Sequence, residues 1–182
     1  KKLILLDWIN INNLDWYNLS QNPNAIDLLL ENKDKINWLS IMRNPNAIKL
    51  FNDTNINWSI LSENPNAIDI LKNNIDKINW FSLCRNPNAI DLLKIIIEYE
   101  NSLSSEDYNN LQHRINWSIL SSNLNAIELL TNNQDKIDWK TFSANQNDIA
   151  IELLKDNYDK IYWEKLSRNP SIFKDESMPE IL

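Results

Sequence analysis

A chain of 182 residues with 43% apolar side chains is long enough for a substantial core and too apolar for a disordered tail. Its net charge is −7, with 18 basic residues dispersed among 25 acidic ones, so the clustered Lys and Arg of a phosphate-tracking surface are missing and nucleic acid is disfavoured as a partner. The single Cys84 excludes an intrachain disulfide and a cysteine-based metal site, and no apolar run approaches the ~20 residues of a membrane span.

The chain opens Lys1-Lys2 rather than with Met, as expected of a fragment or processed product, and carries no signal-peptide pattern. Leu3–Ile9 reads as the second helix of a truncated preceding unit, and Trp8 fits no later Trp slot. From there a ruler appears. Trp16, Trp38, Trp58, Trp80, Trp117, Trp139 and Trp163 are spaced 22, 20, 22, 37, 22 and 24 residues apart. Seven residues after each Trp stands Pro23, Pro45, Pro65, Pro87, Leu124, Gln146 or Pro170. The pentapeptide Asn-Pro-Asn-Ala-Ile occurs four times, beginning at Asn22, Asn44, Asn64 and Asn86. The period is shorter than the ~33–34 residues of ankyrin or tetratricopeptide units. Neither sustained alternation nor a Gly-containing hairpin turn supports strands.

Each unit predicts two short helices. Helix A begins at Trp, after Asp15, Asn37, Asn57, Asn79, Asn116 or Asp138, all side chains that cap free backbone N–H groups; Tyr162 breaks the rule in the last unit. An apolar residue before the cap (Leu14, Ile36, Ile56, Ile78, Ile115, Ile137, Ile161) pairs with one four residues after it (Leu19, Ile41, Leu61, Leu83, Leu120, Phe142, Leu166), which is a hydrophobic staple. Helix B begins at the pentapeptide: Asn caps, Pro takes the first helical position and pushes the residue before it out of the helix. Ala, Ile and Leu then form its apolar stripe. In a chain with no Gly, Asn32, Asn74, Asn133 and Asn157 are expected to close helix B in the left-handed conformation. Trp is expected as a core rung, and Cys84, in a slot held by Ser20, Ser62, Ser121, Ser143 and Ser167, as a small packed residue.

Helices this short are marginal alone and need stacking. The expectation is an all-α chain, an α-solenoid of about seven helix-turn-helix repeats of ~22 residues forming one repeat domain over 1–182. Residues 1–13 are a partial N-terminal unit, 14–93 regular repeats, 94–114 a helical insertion, 115–173 degenerate repeats and 174–182 an irregular tail. In the insertion, helix B runs on through Lys94–Glu100, and a second helix starts near Ser104 or Ser105 and ends near His113–Arg114.

The core Asn-Pro-Asn-Ala-Ile, the preceding Asn-Trp-x-x-Leu-Ser and the following Asp-Lys-Ile-Asn-Trp resemble a repeat family of giant DNA viruses of the mimivirus and chlorovirus kind, over most of residues 14–173. The final Asn169-Pro170-Ser171-Ile172-Phe173 also looks like the terminal unit of such proteins. The resemblance implies a viral origin, in host cytoplasm or virion, and brings no catalytic residues to transfer.

The second position of helix A reads Tyr17, Leu39, Ser59, Phe81, Ser118, Lys140 and Glu164. A slot that accepts Ser, Lys and Glu faces water, so Tyr17, Leu39 and Phe81 are candidates for partner contact. Tyr99, Tyr108 and His113 of the insertion join them. The slot after Ile in helix B, with Asp27, Lys49, Asp69, Asp91, Glu128 and Glu152, reads as a solvated face near helix N-termini. A single His backs no catalytic dyad or His cluster, and a chain without Gly has no phosphate loop. The residue inventory points to a non-enzymatic, cofactor-free protein-binding module, with a virion structural component and a helical-repeat RNA binder as alternatives. Asn52-Asp53-Thr54 and Asn57-Trp58-Ser59 match a glycosylation pattern, as chance matches in an Asn-rich chain do.

Overall fold

The structure, a computed structural model, describes residues 2–51, 56–111 and 114–173. Among these residues all regular structure is helical and no strand occurs. The chain divides into two compact bodies, Lys1–Asn86 and Pro87–Leu182. Short α-helices alternate with 3-10 turns in both.

The caps form as the sequence dictates. Trp16–Gln21, Trp58–Glu63, Trp80–Leu83, Trp117–Ser122 and Trp139–Phe142 are A helices, each with the side chain of the preceding Asp or Asn accepting a backbone N–H from the first turn. Trp163–Leu166 starts after Tyr162 without a side-chain cap. The staple residues Ile36, Ile78, Ile115 and Ile137 are buried, as are Ile41, Leu61, Leu83, Leu120 and Phe142. Leu14, Leu19, Ile161 and Leu166, in the first and last repeats, are only half-buried. Helix B enters through a tight turn before becoming α-helical. Pro23–Ala25 is a 3-10 turn followed by Ile26–Glu31. Leu124–Ala126 leads likewise into Ile127–Thr131. The alanines Ala25, Ala47, Ala67, Ala89, Ala126 and Ala150 are all buried, and in the first repeats Ala25, Leu29, Ile36, Ile41 and Ala47 form one cluster.

Four expectations change. Leu3–Ile9 is not helical: Leu3–Leu6 has no regular structure and a turn at Asp7–Trp8 is closed by the Ile9 N–H donating to the Leu6 carbonyl at 2.9 Å, with Lys2 paired to Glu31 and the Leu3 N–H donating to Asp27 at 2.9 Å. The closing asparagines are not left-handed, and no described residue has positive φ. Asn32, Asn74, Asn133 and Asn157 instead sit at φ between −122° and −142° with ψ near 50°. Each turns its amide back to the carbonyl four residues earlier, at 2.8–3.0 Å, on Leu28, Ile70, Leu129 or Leu153. The side chain satisfies an orphan carbonyl of the helix end, so no reversal of handedness is needed. The second repeat holds no α-helix: Ile41–Arg43 and Pro45–Leu50 are 3-10.

The fourth change concerns Trp. None of the seven slot tryptophans is fully buried; five are half-buried, and Trp38 and Trp163 are exposed. Each of four carries a lysine as a lid. The ammonium groups of Lys35, Lys77, Lys136 and Lys160 lie 4.7–5.1 Å from the ring centres of Trp16, Trp58, Trp117 and Trp139. These lysines end the Asp-Lys stretch that closes each unit and place a cation–π cover over the indole face.

The insertion forms as Ile90–Ser102 and Ser105–Asn110. Ser104 caps the second helix: its Oγ accepts the Asp107 N–H at 3.1 Å and donates to the Asp107 carboxylate at 2.7 Å. That helix ends at Asn110, short of the expected boundary. Cys84 is fully buried, its thiol 3.1 Å from the Trp80 carbonyl.

Candidate partner-binding surface

Within each body, neighbouring repeats are joined by recurring hydrogen bonds. The first asparagine of the pentapeptide works twice. Its Oδ1 caps its own helix, as Asn44 does for Asn46 N–H and Asn64 for Asn66 N–H, both at 3.0 Å. Its Nδ2 reaches back one repeat to two carbonyls. Asn44 donates to Ser20 and Asn22, Asn64 to Met42 and Asn44, Asn86 to Ser62 and Asn64, and Asn169 to Ser143 and Asn145. Asn145 donates to Ser121 at 3.0 Å. These asparagines are buried, and among the described residues no buried side-chain polar atom lacks a partner. The second asparagine makes an outer rung: Asn46, Asn66, Asn125 and Asn147 donate to the carbonyls of Pro23, Pro45, Pro87 and Leu124.

Serine makes a third rung. Ser20, Ser62, Ser121 and Ser143 donate from Oγ to the Trp carbonyl four residues back. The same oxygens accept the backbone N–H of the next repeat's cap residue, Asn37, Asn79, Asp138 or Tyr162, at 2.9–3.1 Å. In the second repeat Met42 holds this slot and its sulfur receives the Asn57 N–H at 3.1 Å.

This frame fixes the backbone and leaves the second position of helix A outside. Tyr17, Leu39 and Phe81 are 49%, 52% and 46% exposed. All three lie in the N-terminal body, one residue after Trp in the first, second and fourth repeats; Tyr17 and Phe81 are on helices and Leu39 is in a turn. They do not form an unbroken stripe. Ser59 stands between Leu39 and Phe81 and bonds to Ser82 at 3.0 Å, and the Arg85 guanidinium covers Phe81 at 4.9 Å. Tyr99 and Tyr108 lie in the C-terminal body. Tyr99 is exposed, whereas Tyr108 is half-buried under Arg114 at 4.8 Å. His113 and the 52–54 glycosylation match lie outside the described residues. The acidic slot faces solvent at Asp69, Asp91, Glu128 and Glu152, while Asp27 is half-buried.

Trp38 belongs to this surface and was absent from the candidates. It is 40% exposed, next to Leu39, and lines a groove of about 450 Å³ with Leu30, Lys33, Ile36, Lys49 and Leu50. The signal was present in the sequence. Lid lysines stand three residues before the next Trp, and for Trp38 that position is Asn55. For Trp80 it is Arg114, which stacks on Tyr108.

Charge perturbations are few. Burial pushes the Glu100 carboxyl above the ordinary range, opposed by the Ile115 N–H it accepts at 2.7 Å and by Lys136 and Arg114. Asp138 is lowered, first by the Ser118 hydroxyl, against a smaller cost of burial, and further by the Thr141 and Lys140 N–H groups. Exposed Lys2 is raised by its bond to Glu31. Among the described residues no cluster of His, Cys, Asp and Glu could hold a metal, and no helix is long and apolar enough to cross a membrane. Comparison with protein-family models, curated proteins and solved structures finds no match.

Proposed function

We propose that this chain is an α-solenoid of about seven helix-turn-helix repeats that serves as a non-enzymatic, cofactor-free protein-binding scaffold of viral origin, acting in host cytoplasm or the virion. The carrying observation is a division of labour within each repeat. Backbone, Asn, Ser and Ala positions are consumed by the junctions, while the slot after Trp is exposed everywhere but at half-buried Ser118 and varies from Tyr and Leu to Ser and Lys. A constant frame with a variable outer slot is how stacked repeats present a binding face. Tyr17, Leu39, Phe81 and the groove beside Trp38 supply apolar and aromatic contacts of the kind that dominate protein interfaces. The dispersed charge supports a protein partner over nucleic acid. Viral origin rests on the resemblance of the Asn-Pro-Asn-Ala-Ile and Asp-Lys-Ile-Asn-Trp segments to giant-virus repeats.

The test is cross-linked affinity capture from infected cells with two chains, the native one and Tyr17→Ser/Leu39→Ser/Phe81→Ser. Serine already occupies this slot at Ser59 and Ser118, so the fold tolerates it. A partner lost selectively with the serine chain supports the scaffold reading, and identical capture by both chains refutes it. Abundance in purified virions, with no partner lost, would favour a structural component.

A further inference from the structure

Two departures from the repeat meet at one groove in the N-terminal body. The first is the slot after Ile in helix B. It holds Asp27, Asp69, Asp91, Glu128 and Glu152 in five repeats and a base, Lys49, in the second. The other departure is a missing lid. Trp16, Trp58, Trp117 and Trp139 each lie under a lysine that stands three residues before the next Trp. For Trp38 that residue is Asn55, which carries no charge, and Trp38 is 40% exposed. Trp38 and Lys49 line the same groove of about 450 Å³. Its apolar part is Trp38, exposed Leu30, half-buried Leu50 and buried Ile36, and its polar part is Lys33 and Lys49, both exposed. Neither ammonium forms an ion pair among the described residues. From Lys33 to Leu50 four basic residues stand against one acidic residue, Asp34.

We infer that this groove takes an acidic peptide segment of a partner protein. A Leu or aromatic side chain of that segment lies against Trp38 between Leu30 and Leu50, and neighbouring Asp or Glu carboxylates reach the Lys33 and Lys49 ammonium groups. The inference rests on the scaffold reading and adds the chemistry of the partner. An uncovered indole is the kind of anchor that dominates protein interfaces, and the two unpaired cations select the sign of what lies beside it. A partner lysine or arginine could replace the missing lid but would meet Lys33 and Lys49. Ion pairs worth little on an open surface strengthen when a bound segment covers the groove and excludes water. Nucleic acid fits less well. Leu30, Ile36 and Leu50 offer aliphatic contacts, and residues 1–86 hold nine basic and nine acidic side chains, so phosphates gain no attraction from the body as a whole.

Short random peptides displayed on phage and panned against the full chain test it. The selected sequences should carry Asp or Glu close to Leu, Phe or Trp. Made as labelled synthetic peptides and measured by fluorescence anisotropy, they should bind Lys49→Asp and Lys49→Gln at least about tenfold more weakly than the native chain. Asp already fills this slot at Asp27, Asp69 and Asp91, so the fold tolerates the reversal, and Gln keeps much of the stem while removing the charge. Added salt should weaken the binding. Tyr17→Ser/Phe81→Ser, which leaves the groove untouched, should bind as the native chain does. Selected peptides without acidic residues, acidic peptides that bind both Lys49 variants as tightly as the native chain, or no selection at all would each overturn the inference. A short poly-uridine RNA that binds the native chain at physiological salt and loses binding with Lys49→Asp would overturn it too, in favour of nucleic acid. The scaffold reading fails on a different result, unchanged capture from infected cells by the triple-serine chain.

Discussion

Replacing Asn64 by Ala removes three hydrogen bonds at once. Its Nδ2 loses the Met42 carbonyl at 2.9 Å and the Asn44 carbonyl at 3.2 Å, and the Asn66 N–H loses its acceptor at 3.0 Å. A buried neutral hydrogen bond contributes about 1 kcal/mol, and an asparagine cap is worth about 1 kcal/mol over alanine, so the loss is about 3 kcal/mol. Asn22→Ala is the control. Asn22 is exposed and makes only the cap bond, to the Asn24 N–H at 2.9 Å, so its loss is about 1 kcal/mol. The difference, about 2 kcal/mol, isolates the junction rung from the cap. Urea unfolding of the body Lys1–Asn86 within the full chain, read as a midpoint shift at constant slope, measures it. Equal shifts for the two variants would mean that the reach to the previous repeat contributes nothing and that the pentapeptide is only a local corner.

Three further substitutions follow the same physics. Leu124→Pro should stabilise by about 0.4–1 kcal/mol, because Leu124 opens its turn at the position where Pro needs no N–H and the preceding Asn123 already sits at φ −77°, ψ 114°; a lower melting temperature would contradict this. Lys77→Gln should cost about 0.5–1 kcal/mol by uncovering Trp58, with a matching shift in urea midpoint. Glu100 holds its proton to higher pH when folded than when unfolded, so native stability falls as pH rises from the ordinary carboxylate range through the folded value. Glu100→Gln keeps an acceptor for the Ile115 N–H and should flatten that slope, which unfolding midpoints from mildly acidic to neutral pH will show.

Caps and staples were legible because they are local. Asp or Asn before Trp, and an apolar pair across the cap, act within one turn, and the structure forms them as read. The junctions were not legible in that way, since an Nδ2 that bridges 22 and 24 residues leaves no mark within its own helix. A clue did exist. At the fifth and sixth repeats Pro decays to Leu124 and Gln146 while Asn123 and Asn145 persist, as a joint would and a simple helix start need not. Left-handed caps do not form among the described residues, because a chain without Gly needs no substitute where an Asn side chain closes the helix end. The chain avoids positive φ among its described residues by letting the Asn side chain do the closing. Trp16 packs against the core cluster without being fully buried; spacing marks a repeated role and does not distinguish full burial from a lysine-covered ring face. Of the partner candidates, exposure was readable from tolerance at the slot, but the break at Ser59 and the stacking of Arg114 on Tyr108 depend on tertiary neighbours.

The one-way junction also bears on how such a chain can change length. The asparagine rung within each body uses a side-chain amide on one side and backbone carbonyls on the other, and carbonyls do not depend on residue type. Excising or duplicating one whole Trp-to-Trp segment would therefore join a standard donor to a standard acceptor. A gene that slips by one period still encodes a connected protein, whereas a slip by part of a period leaves a buried amide without its carbonyls. Length changes by whole repeats therefore keep the asparagine rung intact.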